Sequence, residues 1–245
     1  MKDAISQFVK SGDLIFVSGA QHGSPTAAVA EIVRQKIDHL TVISILSSTN
    51  NLIGEGLVDK VITGYQFLDE KRFYFLAKAR AYNKFPIIEE YALYAGYMGV
   101  PFVPTLSQIG SDMPKFNKNI GTVQDPFSGR KVGAIKAVVP DVAIVHVQRA
   151  DAEGNAQKWG TLGVDVEGAN ASKRIVITAE QIVDSNVIRR DPNRTIVAGF
   201  RVSAVVEQPF GAYPGHLAGC YNDAPMRPGM MGTPEAYEQN LKDTV

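Results

Sequence analysis

The stretch Leu14-Ile15-Phe16-Val17-Ser18-Gly19-Ala20-Gln21-His22-Gly23-Ser24-Pro25 changes character at Ser18, passing from a four-residue apolar run into a polar loop with two glycines. From Thr26 to Ile37 the apolar residues 28, 29, 32, 33 and 37 recur at the spacing of one helix face, with Ser24 or Thr26 placed to cap it. Leu40-Thr41-Val42-Ile43-Ser44-Ile45-Leu46 supplies a second β-rich run. Strand, glycine loop, helix and strand make a βαβ unit, whose strands lie parallel. The unit predicts an α/β fold with an open, largely parallel sheet flanked by helices.

Outward from it the pattern continues. Upstream, Asp3 to Val9 spaces its apolar residues as a short amphipathic helix, and Gly12-Asp13 turns the chain into the first strand. Downstream, Leu57 to Tyr65 reads as a short strand and Ile87 to Met98 as a helix closed by Gly99. Val100-Pro101-Phe102-Val103-Pro104 is confined to an edge or a short strand, because each proline removes a ladder donor. Residues 107 to 130 are polar, with Gly, Pro and Asn throughout, and are expected to form one long loop. Strands follow at 131–138, 142–148, 174–178 and 202–207, with a reversal at Asp151-Ala152-Glu153-Gly154-Asn155. We expect one domain over residues 1–225 and a tail over 226–245.

The 245 residues are 45% hydrophobic and 20% charged, a globular composition. Lys+Arg 25 against Asp+Glu 25 leaves no net field to hold nucleic acid or an acidic membrane surface. No run approaches the ~20 apolar residues that span a bilayer. The first twelve residues lack the continuous apolar core of a signal peptide, and Cys220 is the single cysteine, so no intrachain disulfide forms; a cytoplasmic location is expected.

A loop at the carboxyl end of a parallel strand presents backbone N–H groups and a helix N-terminus, which suits an anion. Gly19 and Gly23 do not make the dinucleotide fingerprint, and no P-loop lysine follows them. His22 is either a donor to an oxyanion or a solvated loop residue. The histidines at 22, 39, 146 and 216 have no metal-ligand spacing, and His39 and His146 are expected to serve the fold. Cys220 reads as a buried or semi-buried structural thiol. Gly54-Glu55-Gly56 sets a carboxylate between two glycines, as a nucleophile or as a surface turn. Asp151, Glu153, Arg189, Arg190 and Asp191 read most simply as solvated charges at turns and helix ends.

Several of these segments occur in an order that carries a resemblance. Ser11-Gly12-Asp13, Gly19 with Gly23-Ser24-Pro25, Ile53-Gly54-Glu55-Gly56-Leu57-Val58 and Pro101-Phe102-Val103-Pro104 resemble the α chains of family I CoA-transferases. Asp141 to His146, Asp151 to Asn155, Ile188 to Pro192 and Pro209-Phe210-Gly211-Ala212-Tyr213-Pro214 are most similar to the α chain of glutaconate CoA-transferase. The resemblance implies an α chain paired with a homologous β chain, an active site between them, and a catalytic glutamate on the partner. It implies CoA thioesters and small carboxylic or dicarboxylic acids as substrates, with no permanently bound cofactor or metal. Family α chains carry Asn at the position of Glu55, and Gly-Gly-Phe where this chain has Ser18-Gly19-Ala20. The same fold resembles hydrolases and decarboxylases acting on CoA thioesters, and a non-catalytic stabilising chain is a third reading. The substrate-binding residues expected are Gly19, Ala20, Gln21, His22, Gly23, Ser47, Ser48, Gln108 and Ser111, with Gln21 and His22 donating to the thioester oxygen or the acyl carboxylate.

Overall fold

The computed structural model describes residues 1–20, 22–45, 49–63, 83–85, 89–107 and 109–224. The decisive unit forms as read: strand β1 (Leu14–Val17), helix α2 (Thr26–Gln35) and strand β2 (Leu40–Ile43), with β1 and β2 parallel. Helix α1 (Lys2–Phe8) precedes it. Helix α2 stops two residues short of the expected end, because Lys36 takes a left-handed conformation (φ 53°) and its N–H closes on the Ile32 and Val33 carbonyls. Neither Ser24 nor Thr26 caps α2 by its side chain. Their hydroxyls donate to carbonyls instead, Ser24 to Gly19 at 3.4 Å and Thr26 to Ala212 at 3.2 Å.

The remaining described strands are β3 (Val58–Ile62), β4 (Asn83–Phe85), β5 (Phe102–Thr105), β6 (Ile120–Gln124), β7 (Lys131–Lys136), β8 (Val142–Asp151), β9 (Ala156–Gln157), β10 (Arg174–Val183), β11 (Thr195–Val197) and β12 (Ala204–Glu207). The helices are α3 (Asn50–Gly54), α4 (Glu89–Met98), α5 (Met113–Phe116), α6 (Asp165–Ala171) and α7 (Ser185–Arg189). Seven strands run parallel in the order β12-β10-β8-β1-β2-β3-β4, so their carboxyl ends share one edge. Beyond β1, the end of β8 pairs antiparallel with β9, and β9 with β11.

Alternation along β1 divides the core. Phe16 faces one layer with Ile43, Ala143, Ile175 and Ala169 of α6, while Ile15 and Val17 face the other with Val29 and Ile32 of α2 and Ile53 of α3. Central strands buried on both faces explain the unbroken apolar runs of β1 and of Val142 to Val145 in β8. Full burial of each Ile, Leu or Phe contributes roughly 1.5–3 kcal/mol, so these two layers hold the strand ends rigidly in place.

One expectation fails here. Residues 107–130 are not a single loop: they contain α5 and β6, and β6, β7 and β5 form a separate antiparallel sheet. In β6 Ile120 is buried while Gly121, Thr122 and Gln124 are exposed, so no two-residue alternation marks the strand in the sequence, and the polar turn at 125–130 follows it directly. The prolines behave as expected, since β5 pairs on one side only, with β7. The tail at 226–245 lies outside the described residues.

Candidate active site

The loop Ser18–Pro25 leaves the carboxyl end of β1 and is tied down at both ends. Ser18 N–H donates to Ile144 O of β8 at 3.1 Å, and Gly23 N–H to His216 O at 3.0 Å. Gly19 holds φ 100°, and a Cβ there would stand 2.6 Å from the Ser24 backbone, so the loop folds back on itself only because position 19 is glycine. Beneath the loop lies an ion pair of Lys158 and Asp165, Nζ to Oδ2 2.5 Å, with both side chains buried. Asp165 Oδ1 accepts Gly19 N–H at 2.8 Å, and Lys158 Nζ donates to Gly23 O at 3.3 Å. One buried pair thus grips the loop at 19 and at 23.

His22 is buried, with Nδ1 3.1 Å from Thr161 O and Nε2 2.9 Å from Ala218 N. The neutral tautomer with its proton on Nδ1 satisfies both partners: the ring donates to Thr161 and accepts from Ala218. Burial, helped by the Lys158 ammonium, pushes its pKa below the ordinary histidine value. The side chain expected to donate to a thioester oxygen therefore donates its Nδ1 proton to the Thr161 backbone carbonyl instead. Gly160, at φ 97°, leaves the room: a Cβ there would meet the ring at 2.9 Å.

A second cluster stands at the carboxyl end of β10. Glu180 Oε1 accepts from His146 Nε2 at 2.8 Å, Tyr221 O–H at 2.7 Å and Gly211 N–H at 3.2 Å, while Oε2 accepts Phe210 N–H at 2.8 Å. His146, fully buried, receives the Thr178 hydroxyl at Nδ1, 2.8 Å away. Burial drives the His146 pKa down despite Glu180. Burial also works against the Glu180 carboxylate, but its hydrogen bonds from His146, Tyr221 and Phe210 outweigh that and hold its pKa low. Burial and the adjoining carboxylate raise the pKa of Tyr221 far above its usual value. A carboxylate with four donors is a structural anchor and not a poised nucleophile.

The strand end brings Gly19, Ala20, His22 and Gly23 together. Ser111 stands apart: it is exposed in the turn into α5, where its Oγ accepts Met113 N–H at 3.4 Å. Gln21, Ser47, Ser48 and Gln108 lie outside the described residues. Glu55 is exposed in the α3–β3 turn, at the amino end of the strands, where Leu40 N–H bonds to Leu57 O. The nucleophile reading of Glu55 fails there, since the ligand-facing loops leave the opposite edge. Two further corrections concern burial. Cys220 is exposed, although partial burial and Glu180 raise its thiol pKa, so it is not activated. Asp151 is buried and locks the β8–β9 turn by accepting from Asn155 N and Nδ2, each at 2.8 Å.

Sequence reasoning missed Lys158, Asp165, Glu180 and Tyr221. Ending β10 at Thr178 hid Glu180, and α6, which carries Asp165, was not anticipated. Among the described residues no group of His, Cys, Asp and Glu is arranged to hold a metal, and no helix is long and apolar enough to cross a membrane.

Known proteins give this geometry a family. Residues 1–208 match the Coenzyme A transferase family. An uncharacterised protein of Archaeoglobus fulgidus is 37% identical over 87% of this chain, which spans only about half (50%) of that relative's length. The α chain of the 3-oxoadipate CoA-transferase of Pseudomonas knackmussii is 32% identical over 90% of this chain and 82% of its own. The α chain of the glutaconate CoA-transferase of Acidaminococcus fermentans is 33% identical over 91% of this chain and 78% of its own. The crystal structure of the glutaconate enzyme superposes with a TM-score of 0.84 over 99% of this chain and 86% of that one, at 29% identity. With its parallel sheet and the loop gripped at its edge, the chain belongs to the Coenzyme A transferase family.

Proposed function

We propose that this protein is the α chain of a heteromeric CoA-transferase that moves CoA between an acyl-CoA and a small carboxylic or dicarboxylic acid. The observation that carries the reading is family membership over residues 1–208 combined with a rigid loop at the carboxyl ends of β1 and β8. In this reading a homologous β chain supplies a glutamate, whose carboxylate attacks the thioester carbonyl and expels CoA thiolate, leaving a mixed anhydride. The thiolate then attacks the glutamyl carbonyl, releases the first acid and leaves an enzyme–CoA thioester for the acceptor carboxylate.

This chain's part is electrostatic. Gly19 and Gly23 N–H groups are committed to Asp165 and His216 O, whereas Ala20 N–H has no acceptor among the described residues, so Ala20 is the amide we assign to the developing oxyanion. His22 fixes the loop, and Gln21, Ser47, Ser48, Gln108 and Ser111 stay in the proposal as substrate contacts by their sequence positions. CoA enters as substrate, with no permanently bound cofactor, and we place the assembly in the cytoplasm.

One observation favours a second reading, a CoA-thioester hydrolase or decarboxylase on the same scaffold. A Cβ on Gly163 would lie 2.6 Å from Ala20 Cβ, so two small residues meet where family α chains carry an aromatic side chain. Intact-mass spectrometry of the native complex, treated with acyl-CoAs in the absence of acceptor, separates the two. A CoA adduct on the partner chain supports the transferase; an active complex that yields no adduct, only free CoA or CO2, overturns it.

A further inference from the structure

Glu180 and His22 sit on different elements and are joined through the segment 209–221. The carboxylate takes two successive backbone N–H groups at the start of that segment, Phe210 and Gly211, and the Tyr221 hydroxyl at its end. Tyr221 O–H also accepts Ala212 N–H at 3.0 Å, and Tyr221 pairs with Leu217 through both backbone groups, at 3.0 and 3.1 Å. The turn so fixed aims Ala218 N–H at His22 Nε2 and His216 O at Gly23 N–H.

Phe210 shows that the carboxylate holds the segment against a backbone preference. It stands at φ 57°, a region costly for a bulky side chain, while its N–H points at Glu180 and the residue is 63% exposed. Four donors converge on two oxygens, so an amide of the same shape cannot replace the carboxylate: its NH2 would confront Phe210 N–H or the three donors on the other oxygen.

We propose that Glu180 is a positioning residue, which docks segment 209–221 and thereby orients His22 and sets the path of the loop from Gly19 to Gly23. Its bearing on catalysis rests on the transferase reading above; its bearing on His22 does not.

The test compares wild type, Glu180→Gln and Tyr221→Phe as full chains in the native complex, with 15N-labelled histidine. In wild type the His22 ring holds the Nδ1-protonated tautomer across neutral pH. In Glu180→Gln the Ala218 contact loosens, the ring shows both tautomers, and its titration midpoint rises by about half a pH unit or more. Under the transferase reading kcat falls, on the order of 10²-fold for a displaced loop, while KM for acyl-CoA moves far less. Tyr221→Phe, which deletes one hydroxyl, shifts His22 the same way by less, and decides the matter if Glu180→Gln does not assemble. Unchanged His22 signals in whichever variants assemble overturn the proposal. A shifted His22 in a complex that shows no CoA transfer even as wild type supports the positioning role and overturns the transferase reading alone.

Discussion

Lys158 Nζ lies 2.5 Å from Asp165 Oδ2, and neither side chain is more than 1% exposed. Each partner has a second task, since Asp165 accepts Gly19 N–H and Lys158 donates to Gly23 O. A buried pair returns little net stability over a well-packed apolar one, but removing one member strands a charge. Lys158→Met is expected to cost about 3–5 kcal/mol in denaturant unfolding of the complex, and the double variant Lys158→Met/Asp165→Leu less than the single one. A single-variant loss below about 1 kcal/mol, the scale of exposed pairs, would show that solvent reaches the pair.

Acid sensitivity follows from two buried neutral histidines. Both His22 and His146 have folded-state pKa values below the ordinary ~6.5, so the unfolded chain takes up protons first as pH falls. Their contribution is complete above about pH 6.5 and is lost below it, at up to about 1.4 kcal/mol per pH unit for each histidine. Glu180, held low, stays ionised throughout this window. Melting temperatures between pH 8 and pH 5.5 should be level at first and then decline, with a shallower decline in His146→Gln. A level profile down to pH 5.5 would show that both rings protonate in the folded state.

Glu55 offers a sharp negative. Because it stands exposed at the amino end of the strands, Glu55→Ala should leave turnover of the complex within about twofold, since surface changes typically stay within ±0.5 kcal/mol. Loss of the CoA adduct in this variant would return the residue to the chemistry.

Cys220 combines exposure with a raised thiol pKa. Alkylation by iodoacetamide at pH 7.5 should be complete but slower than that of glutathione, because the thiolate is the reacting species. Faster labelling would reveal an activated cysteine.

The sheet was legible because its signal is local. Apolar runs at 14–17, 40–43 and 142–147, and helical spacing at 26–35, reflect burial on both faces and on one face respectively. The loop at 18–25 was legible for the same reason, as the point where one period gives way to the other. What holds that loop was not. Lys158 and Asp165 are a lysine and an aspartate seven residues apart, and nothing in their surroundings says that both are buried and that one reaches back to Gly19. His146 read as a strand residue, correctly, but its partners at 178 and 180 lie on the neighbouring strand and meet it only after the chain has crossed the sheet. Of the antiparallel unit, β5 and β7 fall in stretches read as strands, whereas β6 escaped because Gly121 and Thr122 leave it no apolar alternation.

The contact between His22 and Ala218 spans 196 residues. During synthesis the strand that launches the loop is made about two hundred residues before the amide that seats His22, which lies beyond the 208 residues matched by the family. A nascent chain halted before Tyr221 can pair β1, β8, β10 and β12 yet still lack the piece that latches the loop. Such a chain has acquired a sheet before it has acquired a site, and its competence to bind should lag behind formation of the sheet, with the slow closure expected of long-range contacts.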